Sequence, residues 1–340
     1  MKAPQACSGF VLPVTVAILA LIAVGIAMMA QRSDELRRLV LAIEADRIAT
    51  RQVAEASADA LFLSGALYRR GDSMGSIKLD GRPYLSSSGA VVRYTDAGAL
   101  LGLRRAPRQD IYQLLVALGL ADHGQIERLT DALLDYTDKD DLERLNGAEL
   151  PDYLPAKLPP PRNGRVLTPA ELQRLVGWRD LPQDFLERFA ANVHTGPVRS
   201  VNRYTVVGPV LSAMTGLDRT VADELVKARV PGTFLNIDAL PTLAETSFLA
   251  MGRYITVPSS EVLVTICPLR VDWCQHLSVS STGESAFTPW HVNYSYRQPR
   301  RQPLPDPKQL QALPDQLPDT PPPPLWSPFS NDLSSPPSPP

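Results

Sequence analysis

The stretch that decides the fold runs from residue 10 to residue 67 and reads FVLPVTVAILALIAVGIAMMAQRSDELRRLVLAIEADRIATRQVAEASADALFLSGAL. The run Phe10–Ala30 carries no charged side chain and has about the length needed to cross a bilayer. Apolar residues then recur at helical spacing, with no glycine or proline between Gly25 and Gly65. We predict one helix over residues 10–67, about 85 Å long at the usual rise.

The second half of this helix is predicted to pack on a folded domain through an apolar stripe. The stripe consists of Leu36, Leu39, Val40, Ile43, Val53, Ala54, Ala58, Leu61 and Phe62. An ordinary core helix would show the same periodicity, so the spacing predicts the packing and not the class of protein.

The residues before the apolar run form a short polar leader, Met1–Gly9. A secretory signal would place a small-residue cleavage site after the run, where the polar segment Gln31–Glu35 follows instead. The Gly9–Phe10 junction resembles the site at which the prepilin peptidase cuts type IV prepilins and pseudopilins. An uncleaved signal anchor is the alternative interpretation.

The orientation in the membrane rests on the peptidase interpretation. Three arginines, Arg32, Arg37 and Arg38, follow the span, and the positive-inside rule alone would place them in the cytoplasm. Asp34 and Glu35 lie among them, and the leader must face the cytoplasm to be cut. We therefore predict a single-pass protein of a bacterial inner membrane whose C-terminal body lies in the periplasm.

The composition excludes few classes of protein. The chain has 340 residues, 44% hydrophobic content and a formal charge of −2, which suggests two or three structural units and gives no electrostatic reason to expect nucleic acid. The stretch Gly216–Leu240 resembles helical hairpins of nucleic-acid binders. Because its basic and acidic residues balance, packing within the protein or contact with a partner is the better interpretation.

Strand patterns occur at 90–94, 253–257 and 261–266, and helical stripes fill the interval between the first two. We predict an α+β fold in which the long helix packs on a small antiparallel sheet, within a domain formed by residues 31–102 and 246–297. A large α-helical, SAM-like domain, residues 103–245, is inserted into it. The Pro-rich tail, residues 298–340, is predicted to be disordered.

Several motifs in the insert resemble the K-type minor pseudopilin of type II secretion, the GspK family. They are 110-DIYQLL, 131-DALLDYTDKD, 146-NGAE followed by Tyr153, 167-LTPAEL and 201-VNRYT. Tyr204 replaces the asparagine usual in the last motif. The resemblance implies the pseudopilin fold and covers most of the chain up to about Val257.

The fifth residue after the proposed cut supports the same family. Pilin-like proteins usually carry a glutamate there, whereas this chain has Val14. Its absence is typical of the K-type member and suits a subunit at the tip, since an unpaired buried charge is costly.

The resemblance implies a non-enzymatic subunit, methylated at its new amino terminus, that works by assembly. Its implied partners are the I-type and J-type minor pseudopilins, the prepilin peptidase and the inner-membrane assembly platform. A minor pilin of a type IV pilus or of a DNA-uptake fibre is the alternative function.

Eight carboxylates crowd the stretch 131–152, and they require solvent or a cation to neutralise their repulsion. They are Asp131, Asp135, Asp138, Asp140, Asp141, Glu143, Glu149 and Asp152. An EF-hand is excluded because Leu142 and Glu143 occupy positions that need a ligand and a glycine. Two interpretations stay open: a solvated face with capping aspartates, or an irregular calcium site formed by Asp135, Asp138, Asp140, Asn146 and Glu149.

The remaining candidates concern catalysis and a disulfide. Nothing converges with the carboxylates to suggest a hydrolase, and the four histidines, His123, His194, His276 and His291, lack metal-ligand spacing. No cofactor is therefore required. Cys7 lies in the leader, so Cys267 and Cys274 are the cysteines that could pair in the oxidising periplasm.

Overall fold

The computed structural model describes residues 11–66, 69–70, 72–198, 200–229, 254–282, 288–300 and 303–314. The first helix, α1, spans Val11–Ala66, 56 residues, as one uninterrupted element. This confirms the prediction of a continuous helix within the described residues. Its rise gives a length of about 84 Å, so α1 extends far beyond the folded body on which its last part packs.

The packed face of α1 differs from the predicted stripe. Leu36, Leu39, Val40 and Ile43 are more than half exposed, and burial begins only at Ala49. The buried face is Ala49, Val53, Ala56, Ala60 and Leu63. The prediction favoured large side chains, whereas the alanines of this face leave room for the helix to approach the sheet closely.

A six-stranded sheet lies beneath the end of α1. Its strands, in chain order, are β4 (Asp80–Leu85), β5 (Val91–Asp96), β10 (Glu261–Cys267), β11 (Trp273–Ser281), β12 (Trp290–Pro299) and β13 (Gln311–Ala312). They are arranged in the order β12-β11-β10-β5-β4-β13. All pairs are antiparallel except β13 with β4, which are parallel. The sheet is therefore mixed, whereas an antiparallel sheet was predicted.

One face of this sheet forms a core with α1. Val262, Val264 and Ile266 of β10 face the helix, together with Leu277 and Val279 of β11. Alternation along the strands sends Leu263 and Thr265 to the opposite face, which we call the outer face. A small three-stranded sheet, β1 (Arg69–Arg70), β2 (Ser73–Met74) and β3 (Ile77–Lys78), follows α1 and adds buried Met74 and Ile77 to this core.

The prediction that the tail is disordered from residue 298 is wrong for residues 298–299, which end β12, and for residues 303–314. Leu304 and Leu310 pack on the outer face against Cys267 and Cys274, and Leu313 is buried in the core with α1. Strand β13 then pairs with β4. These three leucines supply the apolar contacts that a run of prolines alone would lack. Residues 315–340 lie outside the described part of the chain.

The inserted domain is helical, as predicted. Its helices are α2 (Arg108–Ala117), α3 (His123–Thr137), α4 (Leu150–Tyr153), α5 (Gln183–Ala190), α6 (Gly208–Thr215) and α7 (Arg219–Ala228). They share a second core in which the Trp178 indole lies against the Phe189 ring, with 4.7 Å between centroids, and donates to the Leu129 carbonyl at 2.8 Å. Of the hairpin predicted at Gly216–Leu240, residues 216–229 are described and contain α7, and residues 230–240 lie outside the described part of the chain.

Short strand pairs and one buried carboxylate join the insert to the sheet. Strand β6 (Leu101–Gly102) pairs with β7 (Val193–His194), and β8 (Val201–Asn202) pairs with β9 (Tyr254–Ile255). Asp96, at the end of β5, is fully buried. Its Oδ1 accepts from the Gly98 and Ser259 amides, and its Oδ2 accepts from the Asn202 amide side chain and the Thr205 hydroxyl.

A buried acid–base pair lies at the same junction. Glu261 of β10 has one oxygen 3.7 Å from His194 Nδ1 of β7, and both side chains are almost completely buried. The other oxygen accepts from the Ser278 hydroxyl. A Cβ at residue 196 would overlap the Glu261 carboxylate, so only the glycine found there fits.

The disulfide predicted for the body is present in the structure. Cys267 and Cys274 are bonded, with 4.3 Å between their Cα atoms, and they connect the adjacent ends of β10 and β11. The bond closes the turn between these strands and supports Leu304 and Leu310 on the outer face.

Candidate assembly helix and acidic loop

The first half of α1 is an apolar surface without a protein partner in the isolated chain. Its side chains from Leu12 to Met29 are exposed, and its most apolar window has a mean hydropathy of 2.5. By length and composition this is one helix able to cross a membrane among the described residues. Leaving so many apolar side chains in water is unfavourable by about 25 cal/mol per Å², so this surface requires lipid or other helices.

Val14 lies on this apolar surface and is itself about one-third exposed. The part of the chain before α1, which contains the predicted Gly9–Phe10 cleavage site, lies outside the described residues. Within α1 the helix carries no charge until Arg32. A neighbouring helix packed here would therefore meet apolar side chains, and Val14 would offer no carboxylate to pair with an amino terminus.

The acidic loop, residues 138–149, follows α3 and folds back on its C-terminal end. Asp135, in the last turn of α3, accepts through Oδ2 from the Arg144 amide at 3.2 Å and the Ala148 amide at 3.0 Å. The Arg144 guanidinium binds both Asp135 and Asp138. Gly147 passes so close to Asp135 that a Cβ would overlap the carboxylate.

Glu149, at the end of the loop, carries the least satisfied charge of this region. The residue is 3% exposed, and neither carboxylate oxygen accepts a hydrogen bond of normal geometry, although the side chain faces the Asp152 amide as a capping box at the start of α4. Burial raises the pKa of Glu149 to about 7, and the charges of Asp135, Asp138, Asp141 and Asp140 add to the effect. The ionised carboxylate is thus disfavoured in the folded chain unless a cation joins it.

The structure brings together only some of the predicted calcium ligands. Asp135 and Asp138 share Arg144, and Asp138 Oδ1 is buried without a partner. Asp140 instead accepts from the Leu142 amide, and Asn146 donates to Glu127. Within the described residues, no three acidic, histidine or cysteine side chains converge as a preformed metal centre.

The chemistry of the donors nevertheless fits a hard cation. Asp138 Oδ1 and the two Glu149 oxygens are buried carboxyl oxygens without a hydrogen-bond partner, and calcium accepts carboxylate oxygens in irregular geometry. Arg144 now supplies the positive charge, and because its side chain is 37% exposed it has room to turn away. The role of Arg144 was not predicted from the sequence, because a lone arginine among many carboxylates indicates only a solvated side chain.

Comparison with known proteins identifies the region that contains β5, the acidic loop and α5. Residues 90–191 match the sequence model of the family described as type II secretion system (T2SS), protein K. This segment is therefore similar to the type II secretion protein K family. It includes the motifs at 110, 131, 146 and 167 on which the resemblance rests.

Two relatives extend this result. The type II secretion system protein K of Dickeya chrysanthemi is 29% identical over 173 residues, which are 47% of this chain and 46% of that protein. The chain thus aligns with about half the length of this curated relative. A chain in the crystal structure of the GspK–GspI–GspJ complex from the enterotoxigenic Escherichia coli type 2 secretion system has a similar fold, with a TM-score of 0.54 and 17% identity. The match covers 76% of this chain and 99% of that one.

The structural match includes more than the segment that matches the family model. At 76% coverage it must include residues outside 90–191 as well as those within it. The predicted α+β fold, with a long apolar N-terminal helix and an inserted helical domain, is confirmed. The 201-VNRYT motif lies outside the matched segment, and its Asn202 and Thr205 bind Asp96 at the junction between insert and sheet.

Proposed function

We propose that this chain is a minor pseudopilin of type II secretion that occupies the tip of the pseudopilus. The observation that carries the proposal is one unbroken helix whose first half is an exposed apolar surface and whose second half supports a sheet bearing a protein K insert. The apolar half would enter the helical bundle of the fibre. The chain would act by assembly and not by catalysis.

The position at the tip follows from Val14 and from the insert. A subunit whose fifth mature residue is Val14 has no carboxylate to neutralise the amino terminus of a subunit beyond it. The insert packs over the outer face of the sheet and would obstruct further stacking there. The supporting partners would be I-type and J-type minor pseudopilins, because the chain of similar fold comes from a complex of GspK, GspI and GspJ.

Processing at the Gly9–Phe10 junction gives the first test. With a prepilin peptidase co-expressed, the isolated chain should have the mass of residues 10–340, with or without one methyl group. Gly9→Val should leave the full-length precursor, because a branched side chain beside the scissile bond would fill space that glycine leaves open. Intact-mass spectrometry measures both species.

The matched control for processing is Ser8→Ala, which changes the neighbouring residue without adding bulk. It should be cleaved like the natural sequence. Recovery of the natural chain with Met1–Gly9 still attached, while a known prepilin in the same cells is cut, would favour the uncleaved anchor.

We further propose that the acidic loop binds calcium through Asp138 and Glu149, with Asp135, Asp140 and Asn146 close by. The proposal is supported by the three unpaired buried oxygens described above. When bound, calcium would supply positive charge to the loop in place of Arg144. It would hold the loop against the end of α3 and have no role in any reaction.

The pH dependence of stability tests the calcium proposal. The pKa of Glu149 is 4.5 in the unfolded chain and about 7 in the folded chain. Ionisation of Glu149 therefore does not destabilise the fold below pH 4.5, destabilises it increasingly as the pH rises, and has its full effect above pH 7. Without metal, we expect the free energy of unfolding to fall by about 2 kcal/mol between pH 5 and 8, because solvent near this loop screens part of the effect. Calcium should restore the lost stability.

Glu149→Gln should remove both the pH-dependent loss and the rise in Tm on adding calcium. Glu143→Gln, which changes an exposed carboxylate of the same loop, is the matched control and should keep both. Titration calorimetry that detects no calcium binding at millimolar concentration would contradict the proposal and leave Arg144 as the neutralising group.

A further inference from the structure

A cleft of about 370 Å³ lies between the outer face of the sheet and the inserted domain. The sheet forms one wall through β5, β10, β11 and β12. The insert forms the other through Pro169, Glu187, Ala190, Ala191 and Val193. The volume falls in the range of ligand-binding clefts, and neither the apolar helix nor the acidic loop uses it.

One row of side chains crosses the sheet wall of this cleft. Arg93, Thr265, His276 and Tyr296 are paired in register across four adjacent strands. The His276 and Tyr296 rings are stacked, with 5.1 Å between centroids, and Tyr294 lies 5.8 Å from Tyr296. These side chains form a ledge of aromatic rings on the sheet wall of the cleft, with Arg93 at one end.

The ledge is uncharged except for Arg93 at one end. Burial lowers the pKa of His276 to about 4, so its imidazole is neutral at ordinary pH, and burial raises the pKa of Tyr296 to about 12. Among the described residues that line the cleft, the charged side chains are Arg93, Arg300 and Glu187, and Arg300 pairs with exposed Asp272 at 3.4 Å. The cleft thus fits an apolar segment, with the Arg93 guanidinium facing an adjacent negative charge.

Grooves walled by tyrosines are a preferred site for proline-rich segments, which enter as preformed polyproline helices at a small entropic cost. This chain contains such a segment in 320-TPPPPLWSPF. The surrounding residues 315–340 include Asp315, Asp319 and Asp332 and no lysine or arginine. The tail therefore complements the cleft in both shape and charge.

The neighbouring part of the tail already lies on this face. Pro303 and Leu304 line the cleft, and Leu304 and Leu310 pack against the disulfide beside it. The described chain then reaches Pro314, just after β13. Strand β13 lies two strands from β5, the nearest strand of the cleft, and five strands from β12. At the usual strand spacing, Pro314 is therefore about 10 Å from β5 and about 24 Å from β12.

The length of the tail suffices for it to enter the cleft. At about 3.1 Å per residue, the six residues from Asp315 to Thr320 would cover about 19 Å. That distance brings Pro321–Pro324 to the level of His276 and Tyr296. We propose that residues 320–329 of this chain bind in the tyrosine-walled cleft between the sheet and the insert of the same molecule.

Binding of a synthetic peptide tests the proposal. The peptide, residues 315–330, would be titrated into the detergent-solubilised full chain and into the same chain ending at Pro314, with fluorescence anisotropy as the readout. We expect binding to the shortened chain and about tenfold weaker apparent binding to the full chain, whose own tail competes. Equal binding to the two chains would overturn the proposal.

Two changes locate the binding site. Tyr296→Ala in the shortened chain should weaken peptide binding about tenfold, whereas Val292→Ala, on the same strand outside the cleft, should leave it unchanged. A peptide with alanine at positions 321–324 keeps the charge and should bind about tenfold more weakly. Peptide binding that survives Tyr296→Ala would contradict the assignment.

A cross-link in the full chain avoids dependence on the folding of a variant. A photoreactive phenylalanine in place of Trp326 should link within one molecule to residues of β11, β12 or the facing insert, as mapped by mass spectrometry. Links to other surfaces, or only between two molecules, would overturn the proposal.

Discussion

Replacing Asp96 by asparagine should lower the free energy of unfolding by about 3 kcal/mol, the largest effect that we expect from a single isosteric change. All four partners of the Asp96 carboxylate are donors: two backbone amides, an amide side chain and a hydroxyl. An asparagine presents an NH₂ group to two of them whichever way it is turned. Two donors and the NH₂ would then be buried without acceptors.

The Asp96→Asn change should also alter how the chain unfolds. The four donors belong to the end of β5, the start of β10 and the 201-VNRYT segment of the insert, so the carboxylate connects the two cores. With this connection weakened, urea unfolding of residues 32–340 should broaden or separate into two transitions, as followed by circular dichroism.

Asp184→Asn is the control for this prediction. Asp184 is exposed on α5 and pairs only with Arg188 one turn away, so its substitution should change little. An Asp96→Asn chain that unfolds like the natural one in a single transition would show that the buried carboxylate does not connect the cores.

The parts of the fold that the sequence predicts are those with a strong local signal. The long helix is predicted because charge and helix breakers are absent over a long run, and the insert because its leucines repeat with helical spacing. Strands β11 and β12 escape prediction because their outer face carries histidine, serine and tyrosine. The apolar alternation of a half-buried strand is weak there.

The site residues that sequence reasoning misses act through contacts distant in sequence. Asp96 binds Asn202, 106 positions away, and Ser259, 163 positions away. The residues next to Asp96 in the sequence do not indicate either partner. Arg144 lies within the predicted calcium loop, where the sequence shows it only as one charge among many. The ordered part of the tail depends on Leu304, Leu310 and Leu313, whose spacing follows no regular period.

If this chain assembles as the K-type subunit at a pseudopilus tip, as proposed, a fragment lacking Met1–Gln31 should form a defined complex with the soluble domains of I-type and J-type minor pseudopilins from the same organism. The fragment retains the last part of α1, the sheet and the insert, which contain both described cores. The soluble domain of the major pseudopilin is the control partner.

Size-exclusion chromatography with light scattering is the most direct measurement. The account predicts one complex with one copy of each of the three chains, and no complex of similar stability with the major pseudopilin alone. Failure to bind the I-type and J-type domains, together with binding to minor pilins of a type IV pilus or DNA-uptake system, would contradict it.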